Sequence, residues 1–296
     1  MTAVLDLPQG ANLQAAREWA AAAFAAAGIA QSCDDAAALL CHAAGLRRID
    51  FLNDPGRVLT PSGRAVFSSH VQRRLAREPV TRIIGTRGFW DIDLDVAPGV
   101  LDPRADTETL VEAAVALLGG RTSGTLRILD LGCGSGAIIC ALLHAWPHAI
   151  GHAMDISQDA CALTSRNASR CGVADRLTID QRSWNHGLDG QFDLVLSNPP
   201  YIRSGALASL DPEVRLWDPV LALDGGADGL DAYRDLAVLT APCLASGGWL
   251  VLEAGFDQAA DITNILVAAG WVGLQTYNDL GGHVRAIAAR CQQSGM

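Results

Sequence analysis

Two consecutive prolines, Pro199-Pro200, most constrain what this chain can fold into. They follow a short apolar run, Phe192-Asp193-Leu194-Val195-Leu196-Ser197, with the composition of a buried strand. Proline has no N–H and a fixed φ, so the pair forbids both helix and further ladder pairing, and the strand must stop there. The stop leaves the Asn198 amide, the Pro199 and Pro200 carbonyls and the Tyr201 ring at a strand's C-terminal end. In open α/β sheets that edge is where ligands bind. A planar amino group on a conjugated carbon, as in a carboxamide or adenine, has two in-plane N–H donors. Asn198 can accept one and the Pro199 carbonyl the other, while Tyr201 covers the flat face. Taken alone, the stretch also describes a proline-terminated strand with a surface Asn.

The pattern around it is strand, helix, strand, helix from Arg127 onward, which predicts an α/β unit with a mostly parallel sheet. Strands are expected at 127–131, up to Asp155, at 177–180, at 192–197 and at 249–253. Helices are expected between them, and 271–277 with 284–288 reads as a final antiparallel hairpin. Residues 1–76 read as a small helical unit: Ala-rich helix over 12–27 with Gly28 as its stop, a second from Ser32 to about Arg48, and a third opened by Pro61. Arg73, Arg74 and Arg77 are expected on the polar side of that third helix. Residues 77–105, with Val80, Ile83, Ile84, Phe89, Trp90, Ile92 and Leu94, read as a β-hairpin linker to a domain over 106–296. Asp106 or Thr107 is expected to cap the next helix.

Composition removes several classes of chemistry. All 22 basic residues are Arg and none is Lys, which excludes a phosphate loop of the Walker type, a Schiff-base lysine and a lysine base. The net charge of −10 disfavours nucleic acid and anionic membrane as partners. Eight cysteines show no C-x-x-C pair or finger spacing, so neither a metal nor a disulfide framework is expected. The N-terminal hexapeptide lacks the positive region of a leader. The run Trp19 to Ala30 is shorter than the ~20 residues a bilayer span needs, so a cytoplasmic protein is expected.

The turn Gly132-Cys133-Gly134-Ser135-Gly136 follows the first parallel strand and its Asp130, and lets backbone approach a ligand closely. It lacks the last Gly of a dinucleotide fingerprint. Asp155, ending the second strand, is the acid expected on ribose hydroxyls. Together these residues resemble the class I S-adenosylmethionine-dependent methyltransferases, a Rossmann-like fold. The resemblance implies that Asp130, Gly132, Cys133, Gly134 and Gly136 wrap the amino acid part of the cofactor. It places Asp155 at the ribose and Ser183 and Trp184 at the adenine, and counts Ile156 and Asn198 among the cofactor-binding residues. Dinucleotide binding is the alternative for this half.

A narrower resemblance comes from Glu78-Pro79-Val80, Phe89-Trp90, Pro103-Arg104-x-Asp106-Thr107-Glu108, Leu252-Glu253-x-Gly255 and Asp279-Leu280-x-Gly282-x-x-Arg285. These look like the protein-glutamine methyltransferases of the HemK/PrmC type. That family implies methylation of the glutamine amide nitrogen in the Gly-Gly-Gln motif of class I peptide-chain release factors, with the helical domain helping to dock the factor. Asn198, Pro199 and Tyr201 are the implied catalytic residues; Pro200, Arg104, Thr107 and Glu108 join them around the substrate. The chain departs from the family pattern at Asp102, Ala105, Ser183 and Ala254. A ribosomal-protein glutamine methyltransferase, a nucleic-acid adenine amino methyltransferase and a non-catalytic binding module are the competing readings.

Overall fold

The computed structural model describes residues 7–120 and 125–291. The N-terminal hexapeptide and the last five residues of the expected C-terminal domain lie outside the described residues. The chain divides into two compact units between Gly85 and Thr86.

The first unit is helical: α1 (Leu13–Ala26), α2 (Ser32–Ala44), α3 (Arg48–Asn53), α4 (Pro61–Leu75) and α5 (Val80–Ile84). Asn12 caps α1 by accepting from Ala15 N at 2.8 Å, and Thr60 caps α4 through Gly63 N at 3.0 Å. Phe24, Leu39, Leu40, Phe67 and Val71 fill the core between them. Three expectations need correction. Helix α2 stops at Ala44 because Gly45 turns left-handed, and a separate α3 begins at Arg48. Arg74 is not on the polar side of α4; it is buried and pairs with Asp35 at 2.8 Å. Val80–Ile84 is helix rather than a hairpin arm, entered from extended Pro79 and closed by Gly85 at φ 85°.

The second unit opens with the hairpin proper, β1 (Thr86–Phe89) and β2 (Ile92–Asp95), whose two-residue turn places Trp90 at φ 52°. There follow α6 (Glu108–Leu118), β3 (Arg127–Leu131), α7 (Ala137–Ala145), β4 (Ile150–Asp155), α8 (Gln158–Arg170), β5 (Leu177–Gln181) and β6 (Phe192–Ser197). The chain continues through α9 (Pro212–Arg215), α10 (Asp231–Leu239), β7 (Leu244–Glu253), α11 (Ala259–Ala268), β8 (Trp271–Asn278) and β9 (Val284–Cys291). The sheet order is β5-β4-β3-β6-β7-β9-β8, parallel from β5 to β7 and antiparallel at β9 and β8.

Period-two alternation builds both faces. Ile128, Leu194, Leu196, Trp249 and Val251 point to the side of α6, α7 and α8. Leu129, Leu131, Val195, Leu250 and Leu252 point to the side of α10 and α11, where Tyr233, Leu236, Ile262 and Leu266 cover them. Each buried aliphatic side chain is worth ~1.5–3 kcal/mol, so the strand ends are held firmly.

The chain winds from β3 outward through β4 to β5, then returns to place β6 on the other side of β3. This reversal is a switch point, where a crevice opens beyond the strands' C-terminal ends. Leu131 and Ser197 are register partners across it. The next residues, Gly132 and Asn198, therefore begin the two neighbouring loops.

Candidate active site

The glycine turn after β3 is held mainly by backbone. Gly132 N and Cys133 N donate to Met154 O at 2.8 and 3.1 Å, and Gly136 N donates to Cys133 O at 2.7 Å. Gly136 is left-handed at φ 77°, and a Cβ there would stand 2.9 Å from Thr164 Cγ2, so only glycine fits. Asp155 clamps the turn to β4: Oδ2 accepts from Gly134 N at 2.9 Å and Oδ1 from Ser157 N at 2.8 Å. Each oxygen keeps a further lone pair for a ligand hydroxyl. Asn167 ties the turn to the hairpin, donating to Ser135 O at 2.8 Å and to Asp95 O at 3.1 Å. Beneath lies Asp130, fully buried; burial pushes its carboxyl up to about 7, with Asp155 adding to the rise and the Ile139 backbone N–H opposing it.

The other side of the crevice is made of side chains from distant segments. Asn198 Nδ2 donates to Thr107 Oγ1 at 3.1 Å. Thr107, expected as a possible helix cap, makes no cap bond; its hydroxyl accepts from Asn198 instead. The Tyr201 hydroxyl donates to Glu253 Oε1 at 3.4 Å. Burial raises the Glu253 pKa to about 7; Thr107, Arg285 and Tyr201 work against the rise and Asp106 with it. Burial and the Glu253 charge push the Tyr201 phenol well above its ordinary range. Gln258, also buried, donates to Tyr201 O at 3.0 Å and accepts from Gly255 N at 3.2 Å, joining the loops after β6 and β7.

Two cavities meet here. The larger, about 550 Å³, is lined among others by Gly132, Cys133, Gly134, Asp155, Ile156, Ser183 and Trp184, and reaches Thr107, Arg104, Asn198 and Pro200. The smaller, about 240 Å³, lies against Tyr201 and Ile202. They share Leu101, Arg104, Asn198 and Ala222. Among the expected site residues, Asp130, Gly136, Pro199 and Glu108 line neither cavity: Asp130 and Pro199 are buried behind the surface and Gly136 starts α7.

Sequence reasoning passed over Leu101, Ala222 and the segment Asp224–Gly226. That segment is drawn to the Asn-Pro-Pro-Tyr loop by Ile202 N to Leu223 O at 2.9 Å and Gly225 N to Ile202 O at 2.8 Å. The Asp-Gly-Gly at 224–226 was the available signal for a close backbone approach. Two departures from the family pattern have physical accounts. Asp102 is buried and pairs with Arg87 at 3.3 Å, so its charge is met. The Ser183 hydroxyl accepts from Asn185 N at 3.2 Å, capping the short turn that carries Trp184 into the cavity.

Residues 15–85 match the PrmC N-terminal domain and residues 107–211 the methyltransferase small domain. The chain is 44% identical over 269 residues to the release factor glutamine methyltransferase of Rhodospirillum rubrum, covering 91% of this chain and 82% of that one. It is 43% identical over 289 residues to the enzyme of the same name from Bradyrhizobium diazoefficiens, covering 97% of each. The hMettl16 catalytic domain, solved with the MAT2A 3'UTR hairpin 6, shares the fold at a TM-score of 0.55 and 14% identity, over 70% of this chain and 78% of that one.

Proposed function

The chain belongs to the release factor glutamine methyltransferase family, and from that premise we propose how its crevice works. It is an S-adenosylmethionine-dependent enzyme that methylates the side-chain amide nitrogen of the Gly-Gly-Gln glutamine in class I release factors. The residues of the larger cavity fit the cofactor: a glycine turn open to close approach, a carboxylate with lone pairs to spare at Asp155, and the Trp184 ring. When bound, S-adenosylmethionine supplies the methyl group from its sulfonium.

The observation that carries the reading is that the two cavities meet at Asn198. The glutamine side chain enters through the smaller one, past Tyr201, and its amide stops at the junction. An amide nitrogen is a poor nucleophile because its lone pair is delocalised into the carbonyl. Asn198 Oδ1 accepts one N–H and the Pro199 carbonyl the other, which turns the nitrogen toward the larger cavity. Orientation of this kind can remove ~7–11 kcal/mol of the barrier. Two acceptors also stabilise the positive charge that develops on nitrogen. Tyr201, its phenol held protonated, walls the pocket and is no base. The methylated amide is acidic enough to lose its proton to water. Arg104, paired with Asp218 at 2.6 Å, stands at the junction beside the incoming glutamine. The helical domain over 1–76 contributes to docking the factor, and the reaction belongs to the cytoplasm.

The test uses labelled S-adenosylmethionine with three separate acceptors: intact class I release factor, the factor with its Gly-Gly-Gln glutamine replaced, and total RNA. Label on the intact factor alone is the expected result. Label on RNA would favour the adenine reading, which shares the same two-acceptor grip, and would overturn this one.

A further inference from the structure

We propose that Gln258 is a positioning residue for methyl transfer: its buried amide fastens the Asn-Pro-Pro-Tyr loop to the segments before α10 and after β7. The inference rests on the reading of Asn198 and Pro199 given above. That grip needs the Pro199 carbonyl at a fixed place, and the two prolines make it hard to hold. Neither has an N–H to give, so residues 199 and 200 make no backbone donor bonds. The Pro199 carbonyl is reserved for the substrate amide. The loop must be held through its neighbours, and the Tyr201 carbonyl is one such handle.

Gln258 takes that handle. Its Nε2 donates to Tyr201 O at 3.0 Å and to Gly229 O at 3.2 Å, while Oε1 accepts from Gly255 N at 3.2 Å. A primary amide has two N–H donors, and both are used. The partners also fix which way round the amide sits: two carbonyls must face NH2 and one N–H must face oxygen. One planar group therefore joins three loops. Gln258 is 2% exposed, so water does not compete for these bonds. The packing is close as well, since a Cβ at Gly229 would stand 2.7 Å from Nε2 and one at Gly255 2.5 Å from Oε1.

The anchor is part of a helix. Gln258 N donates to Gly255 O at 3.0 Å, and its carbonyl accepts from Ile262 N at 3.0 Å to start α11. Buried Ile262 and Leu266 pack that helix on the sheet. The tethered loops all belong to the crevice. Tyr201 lines the smaller cavity, and Asp224 to Gly226, just ahead of Gly229, line the larger one. Gly255 follows β7, whose Glu253 accepts from the Tyr201 hydroxyl at 3.4 Å. Gln258 itself lines neither cavity, so it acts through the loop and not on the substrate. A misplacement of ~1 Å at the reacting groups can cost ~10²-fold in rate, and releasing the Tyr201 carbonyl frees the loop to move.

The experiment measures single-turnover transfer to release factor, cofactor affinity and the urea midpoint in wild type, Gln258→Met, Gln258→Glu and Leu118→Ala. Gln258→Met keeps the length and removes all three bonds. Gln258→Glu keeps the shape and turns an acceptor oxygen toward the Tyr201 and Gly229 carbonyls. Transfer should fall ~10–100-fold in Gln258→Met and further in Gln258→Glu, with cofactor affinity as in wild type. Leu118→Ala opens a cavity at the far end of α6, so it should lower the urea midpoint and keep the wild-type rate. Wild-type transfer in Gln258→Met would overturn the proposal, as would faster transfer in Gln258→Glu than in Gln258→Met. So would cofactor affinity that falls in step with rate, or an equal loss of rate in Leu118→Ala. Gln258→Met decides alone if Gln258→Glu does not fold. An inactive Asn198→Ala enzyme beside a fully active Gln258→Met enzyme would sink the tether alone; an active Asn198→Ala enzyme would sink the underlying grip.

Discussion

The two halves of the crevice solve the same problem by opposite means. The side proposed for the cofactor is local: Gly132 to Gly136 is one contiguous turn of backbone held largely by backbone, with the Asp155 clamp only 21 residues further on. The amide side is assembled from afar. Asn198 meets Thr107 across 91 residues of chain, and Tyr201 meets Glu253 across 52. Each half nevertheless stands on one buried carboxylate at the C-terminal end of a strand, Asp130 beneath the turn and Glu253 beneath the grip, both held near 7 by burial. A backbone-built site tolerates loss of one side chain as a graded fall in affinity. A grip of single side chains fails in rate and leaves binding of the cofactor alone.

The largest expected effect tests that contrast directly. Asn198→Ala should lower methyl transfer by ~10²–10³-fold and leave S-adenosylmethionine affinity essentially as in wild type, measured by single-turnover transfer and calorimetry. Parallel loss of both would make the halves one cooperative unit. Next comes Asp155→Asn, which removes a charged acceptor from Gly134 N and Ser157 N. Cofactor affinity should drop about tenfold, the ~1.5 kcal/mol of one charge-assisted bond. At saturating cofactor kcat should recover, and failure to recover would show that the clamp also shapes the grip.

The smallest effect concerns stability. Both buried acids have folded pKa values raised above their unfolded ones, so they bind protons more tightly in the native state. Their contribution is complete below about pH 4 and is lost as pH rises through about 7. Between pH 6 and 7 each group should remove about 1 kcal/mol of unfolding free energy. Urea titrations of Asp130→Asn and Glu253→Gln should each flatten the slope over that interval by this amount. A variant with the wild-type slope would remove its carboxyl from the account.

Much of the glycine-turn half was legible because its determinants are local. The bounds of β3 and β6 are those the apolar runs predict, and the positive-φ glycines announce the turn between strand and helix. Where local signals were ambiguous, tertiary partners decided. Val80, Ile83 and Ile84 suit a strand by propensity, yet extended Pro79 and left-handed Gly85 close a helical turn around them. Arg74 falls in a run of arginines that reads as solvent-facing, yet Asp35 of another helix draws it inside. Thr107 has the composition of a cap, and its hydroxyl is taken instead by Asn198.

From sequence alone came the alternating α/β order, the strand ends marked by glycine and by Pro199-Pro200, and the identity of the groups at each end. Periodicity, backbone restriction and donor or acceptor character are properties of neighbouring residues, and they survive without knowledge of the fold. Only the tertiary structure decided that Glu253 meets Tyr201, that Thr107 meets Asn198, and that Asp102 has Arg87 to meet its charge. Those facts depend on which strand lies beside which, and on burial that removes water from the contest. No reading along the chain contains either.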